Sequence, residues 1–153
     1  GYDYATENAA YFVTCRFVDR LNMNTVKEIF ATMASVFDET SFQCDSLVVL
    51  PDHCHFIARK VSSTNQTLPD AVCRVKSKTI HVMKGRGTIA ASFWRRGYHE
   101  HVVRGEKDWS EKTQYIMNNP VRAGLVVDAR KYPYMFVRDV FPGATQGRPL
   151  RED

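Results

Sequence analysis

Residues 42–60, FQCDSLVVLPDHCHFIARK, constrain the fold more than any other stretch of the chain. Two runs rich in β-branched and apolar residues flank a Pro51-Asp52 pair. Proline presets the backbone for a turn and aspartate bonds locally, so the runs are expected to pair as a hairpin, 42–50 with 53–60. Side chains alternate faces along a strand. Cys54, Phe56 and Ala58 therefore share one face, and His53, His55, Ile57 and Arg59 share the other. The small and apolar set suits packing against helices, which leaves two imidazoles side by side opposite. Such a pair can hold one divalent cation or can merely satisfy local hydrogen bonds, and the spacing alone does not choose.

The flanking segments extend the hairpin into a domain. In residues 10–18, AYFVTCRFV, Tyr11, Val13, Cys15 and Phe17 face one way and Thr14 and Arg16 the other, which predicts a half-buried strand. Residues 24–38 carry Val26, Ile29, Phe30, Met33 and Phe37 at helical spacing, with Asn24 as the expected cap. A polar loop, 61–67, leads to a second helix over about 68–84. Residues 91–103 read as a fourth strand, or as two short ones split at Gly97. A third helix is expected from Asp108, where Glu111 completes a capping-box pattern, to about Asn119, because Pro120 disfavours helical geometry before it. Strand, helix, strand, strand, helix, strand is the split βαβ, ferredoxin-like plan: an α+β fold with an added C-terminal helix. With 153 residues, one domain over 1–153 is expected, ending in a loose tail from about 141.

On the third helix, Trp109, Thr113 and Ile116 form the apolar stripe. Tyr115 instead shares its side with Glu111, Lys112, Asn118 and Asn119. Its phenol is thus available, and the amide of Asn119 lies one turn on.

Charge points outward to a polyanion. The net charge is +4, and eight basic residues lie between Arg74 and Arg104 against one acid, Glu100. Nucleic acid is the first candidate and a solvated face the plainer one. Cys15, Cys44, Cys54 and Cys73 match no zinc or CxxC spacing and are expected to be free, mostly buried thiols. No apolar run nears the ~20 residues that span a bilayer, and the N-terminus lacks a signal-peptide pattern, so a cytoplasmic protein is expected.

LPDHCHFI resembles the HUH motif of single-strand DNA endonucleases, two histidines around a hydrophobic residue. FWRRGYHEHVVR followed by YIMNNPVRAGLV is similar to bacterial transposases with one catalytic tyrosine, and in particular to the REP-associated tyrosine transposases. AAYFVTCRFVDRL resembles that family's first strand, and KYPYMFVRD, 131–139, the segment after its catalytic helix. The resemblance runs from about residue 9 to 139. Cys54 stands between the histidines where a larger aliphatic is more usual, and Ala9-Ala10 where glycines are common.

The resemblance implies Tyr115 as nucleophile, with His53, His55 and Asn119 around Mg²⁺ or Mn²⁺. It implies a bacterial, nucleoid-associated enzyme, a monomer rather than a homodimer, acting on single-stranded or hairpin DNA. Attack on a DNA phosphate would leave a 5′-phosphotyrosine and a free 3′-OH. Arg95, Arg96, Arg104 and Arg122 are candidate phosphate contacts, and His101 a candidate for DNA contact or proton transfer. Trp94 and Tyr98 are candidates for base stacking or for the core, with at least one of Phe93 and Trp94 buried. Three rivals remain. An RNA-binding module leaves the histidines and tyrosine without a shared purpose. A phosphodiesterase using water would not need Tyr115. A domesticated hairpin-binding regulator would keep the same site.

Overall fold

The computed structural model describes residues 9–87 and 93–142. Five strands form one antiparallel sheet in the order β4-β1-β3-β2-β5. They are β1 (Ala10–Arg16), β2 (Phe42–Val49), β3 (His53–Lys60), β4 (His99–Val103) and β5 (Met135–Phe136). The first four have the ferredoxin-like arrangement that the element order predicts. The fifth comes from within the 131–139 segment and adds to the free edge of β2.

The strand alternation decides what covers each face. Tyr11, Val13, Cys15, Phe17, Cys54, Phe56 and Ala58 are buried with residues of α1 (Met23–Val36) and α2 (Leu68–Gly85). On the opposite face Val48, Leu50 and Ile57 pack with Trp109 and Ile116 of α3 (Gly105–Arg122) and with Tyr132. The histidine face is thus roofed by α3. The C-terminal segment is tied to it too, since the Phe141 ring meets Trp109 edge-on at 5.7 Å. Residue 141 is therefore packed and not part of a loose tail, while 143–153 lie outside the described residues.

Several element ends differ from expectation. Helix α1 starts earlier, capped by Asn22 and not Asn24: the Asn22 side chain accepts from the Thr25 N–H at 2.9 Å. In α2, Thr67 and Asp70 form a reciprocal capping box. Helix α3 begins three residues before Asp108, whose carboxylate accepts from the Arg104 N–H at 2.9 Å from inside the first turn. It also runs through Pro120 to Arg122. Pro120 is buried, and its carbonyl accepts from the Leu125 N–H, so tertiary packing and the following turn outweigh the local penalty. Of the expected 91–103 strand, only His99–Val103 is regular. Trp94 makes an isolated bridge to Phe17, and Gly97, between Trp94 and His99, has φ +71°. Residues 88–92 lie outside the described residues.

Because that strand is broken, Phe93 and Trp94 do not alternate, and both are buried. Trp94 stacks obliquely on Phe17 at 4.7 Å and donates through Nε1 to Thr79 Oγ1 at 2.8 Å. Trp94 is core and not a stacking platform, and Tyr98 packs at the margin of the same core. All four cysteines are free, with Cys15 and Cys54 buried, Cys44 half-buried and Cys73 exposed.

Candidate active site

The sheet register assembles the site. Across the strands, His99 of β4 stands opposite Thr14 of β1, which stands opposite His55 of β3, and Arg16 stands opposite His53. The two imidazoles meet edge-to-face with centroids 4.7 Å apart. His55 is buried at 4% exposure, and its Nδ1 lies 2.8 Å from the Thr14 hydroxyl. Its Nε2 is buried and has no hydrogen-bond partner among the described residues. His53 is more open, and its Nδ1 lies 2.7 Å from the Asp52 carboxylate.

These contacts have a chemical reading. If each Nδ1 donates its proton, to Thr14 or to Asp52, each Nε2 keeps its lone pair free for a cation. Burial, with the charges of His53, Arg16 and Arg122, pushes the His55 pKa down to about 3, although Asp52 opposes this. Above that pH His55 is neutral, the form a metal needs. Burial raises the Asp52 carboxyl, but the His53 hydrogen bond and charge, with Arg20, hold it below its ordinary range. Among the described residues no three His, Cys, Asp or Glu side chains converge as a metal cluster. The donors that the geometry brings together for a divalent cation are the two imidazoles. Asn119, the expected third ligand, is buried at 5% exposure one turn past Tyr115 on α3.

Tyr115 packs against His55 of this pair. Its ring meets His55 at 5.2 Å and Phe12 at 5.7 Å, both edge-to-face, and Phe12 stacks on His55 at 5.2 Å. Tyr115 is 40% exposed, so the residue that packs against His55 is also open to solvent. The Arg122 guanidinium lies 4.2 Å from its centroid.

The remaining candidates separate. Arg95 lines a cleft of about 370 Å³ with Arg16, Arg20 and Asp52, immediately beside His53. Arg95 is fixed there, since its Nε donates to the Phe17 carbonyl and Lys76 Nζ donates to the carbonyls of Arg95 and Gly97. Arg96 is exposed on the same turn. His101 lies opposite Phe12 and contacts Asp108 at 3.1 Å. Burial raises the Asp108 carboxyl, yet the Arg104 N–H, His101 and Lys112 hold it low. Arg104 is exposed at the start of α3. Sequence reasoning missed Phe12, Asp52, Arg20 and the roles of Thr14 and Arg16. The open side of β1 was visible as Thr14 and Arg16, but only the register shows what they face.

No family model matches the chain. It is 27% identical over 154 residues, 88% of the chain and 84% of the relative, to a Haemophilus influenzae protein provisionally named a REP-associated tyrosine transposase. It is 32% identical over 106 residues, 67% of the chain and 59% of the relative, to a REP-associated tyrosine transposase of Escherichia coli. Its fold is similar to that of a solved REP-associated tyrosine transposase bound to a REP hairpin. The TM-score is 0.73 at 22% identity, covering 88% of this chain and 80% of that one. No helix among the described residues is long and apolar enough to cross a membrane.

Proposed function

We propose that this chain, which matches the REP-associated tyrosine transposases in sequence and in fold, cleaves and rejoins single-stranded DNA through Tyr115. The observation that carries the reading is the Tyr115 ring against His55, whose buried Nε2 has no hydrogen-bond partner among the described residues. A solvent-facing phenol beside two oriented imidazoles suits a nucleophile next to a metal-held phosphate. Mg²⁺ or Mn²⁺ would be held by Nε2 of His53 and His55 with the Asn119 amide, and would supply Lewis-acid polarisation of the scissile phosphate.

The protein's own groups do the rest. Thr14 and Asp52 fix the imidazole tautomers. In cleavage the Tyr115 Oη–P bond forms as the P–O3′ bond breaks. The phenolic proton leaves to solvent at the exposed rim, and the departing 3′ oxygen takes a proton from water. The product is a 5′-phosphotyrosine with a free 3′-OH, and the retained bond energy lets a 3′-OH reverse the step. Arg95 and Arg96, with Arg16 and Arg20 beside them, hold phosphates of the flanking strand, and His101 and Arg104 mark the opposite rim. The hairpin in the similar solved protein supports a hairpin substrate here. Tyr115 and both histidines meet within one chain, so a monomer holds a whole site, acting at the bacterial nucleoid.

The test is covalent capture on labelled hairpin DNA with randomised single-stranded flanks, in Mn²⁺ or Mg²⁺, on denaturing gels. Wild type is expected to give a metal-dependent protein–DNA band that Tyr115→Phe and His53→Ala both lose. Cleavage that survives Tyr115→Phe without an adduct would mean a water nucleophile and overturn the reading. So would the absence of any wild-type adduct across the library.

A further inference from the structure

We infer that Arg122 is a positioning residue for the Tyr115 ring rather than a contact to DNA phosphate. The inference rests on the proposed role of Tyr115. Tyr115, Asn119 and Arg122 are spaced four and three apart along α3, which places them on one stripe of the helix. The guanidinium carbon lies 4.2 Å from the ring centroid, within van der Waals reach of the aromatic face. A guanidinium is planar and weakly hydrated, so it stacks on a ring with little loss of solvation.

Two absences make the contact more than incidental. Among the described residues Arg122 has no carboxylate partner, and the Tyr115 hydroxyl has no hydrogen bond. Among the described residues neither group therefore has another polar partner. On the inner side the ring makes edge-to-face contacts with Phe12 and His55. A ring gripped from inside and open outside would swing, and Arg122 closes that side. In rejoining, Tyr115 departs as a phenolate, and the same cation lies beside the charge that develops.

The experiment compares wild type, Arg122→Gln and Arg122→Lys in single-turnover adduct formation and in DNA binding across a salt series. Arg122→Gln is expected to slow adduct formation roughly 10- to 100-fold, as for a misplaced reacting group, with the DNA Kd and its salt slope unchanged. Arg122→Lys keeps the charge but loses the planar face, and is expected to stay slow. If Arg122 instead held a phosphate, Arg122→Gln would weaken binding and flatten the salt slope by about 1, and Lys would restore both. That result, or a wild-type rate in Arg122→Gln, overturns the inference while leaving the Tyr115 mechanism intact. A substrate-free readout separates the two further. Mild iodination of Tyr115, read by peptide mass spectrometry, is expected to rise in Arg122→Gln as one ring face opens. Unchanged labelling overturns the positioning role even if the enzyme reading had failed.

Discussion

Thr14→Val isolates the support of one imidazole without altering side-chain shape. Thr14 is buried at 8% exposure, and its hydroxyl is 2.8 Å from His55 Nδ1. Valine fills the same volume but accepts nothing. A proton left on Nδ1 would then be a buried, unpaired donor, which costs about 1–3 kcal/mol. His55 can avoid that cost by moving the proton to Nε2, but Nε2 is then no longer a ligand. Either route weakens the cation site. Loss of such a partner typically lowers metal affinity about 10- to 100-fold, or about 1.4–2.7 kcal/mol. Calorimetric titration of Mn²⁺ into wild type, Thr14→Val and Thr14→Ser reads this directly. Serine keeps the hydroxyl and is expected to stay near wild type. Wild-type affinity in Thr14→Val, or an equal loss in Thr14→Ser, would refute the argument that the hydroxyl sets the His55 tautomer.

Two further outcomes follow from buried charge. His55 has a folded pKa of about 3 against an ordinary 6.5, so the unfolded chain binds the extra proton between those values. Stability of the metal-free protein is therefore expected to fall as pH drops from 6.5 toward 3, by at most about 4–5 kcal/mol from this group. Urea midpoints across that range, compared with His55→Gln in chelator, test it, and parallel curves would contradict it. Asp45 is fully buried at the β2 bulge, where it accepts from Arg59 Nε at 2.9 Å and from Arg59 NH2 at 3.1 Å, with Arg138 at 3.5 Å. Asp45→Ala strands both guanidinia and is expected to cost about 3 kcal/mol, the low end for a broken buried pair, since each arginine is partly exposed. Guanidinium denaturation measures it, and a loss below about 1 kcal/mol would mean that both arginines reach water freely.

Local chemistry made the periodic parts legible. The hairpin follows from a Pro-Asp turn between two apolar runs, and the two-residue period assigns His53 and His55 to one face. The helical period likewise separates Tyr115 from the stripe of Trp109, Thr113 and Ile116, all three of which are buried. These assignments depend on neighbours a few residues away. Element ends proved less legible because each is a contest between close local options: Asn22 or Asn24 as cap, Asp108 at or inside the helix start. Pro120 shows a local rule losing to burial.

The sequence by itself determined the secondary pattern, the paired imidazoles and the tyrosine that faces polar groups. It did not determine what meets what. Thr14 reaches His55 across a 41-residue separation through strand register, and the burial of that imidazole comes from Phe12 of β1 and Tyr115 of α3 packing on it. The shielding of Trp94 by Phe17 and Thr79 is likewise a tertiary fact. The division has one physical cause. Periodicity fixes the direction of a side chain, but distance, burial and the resulting pKa depend on segments remote in the chain, which only the packed fold brings together.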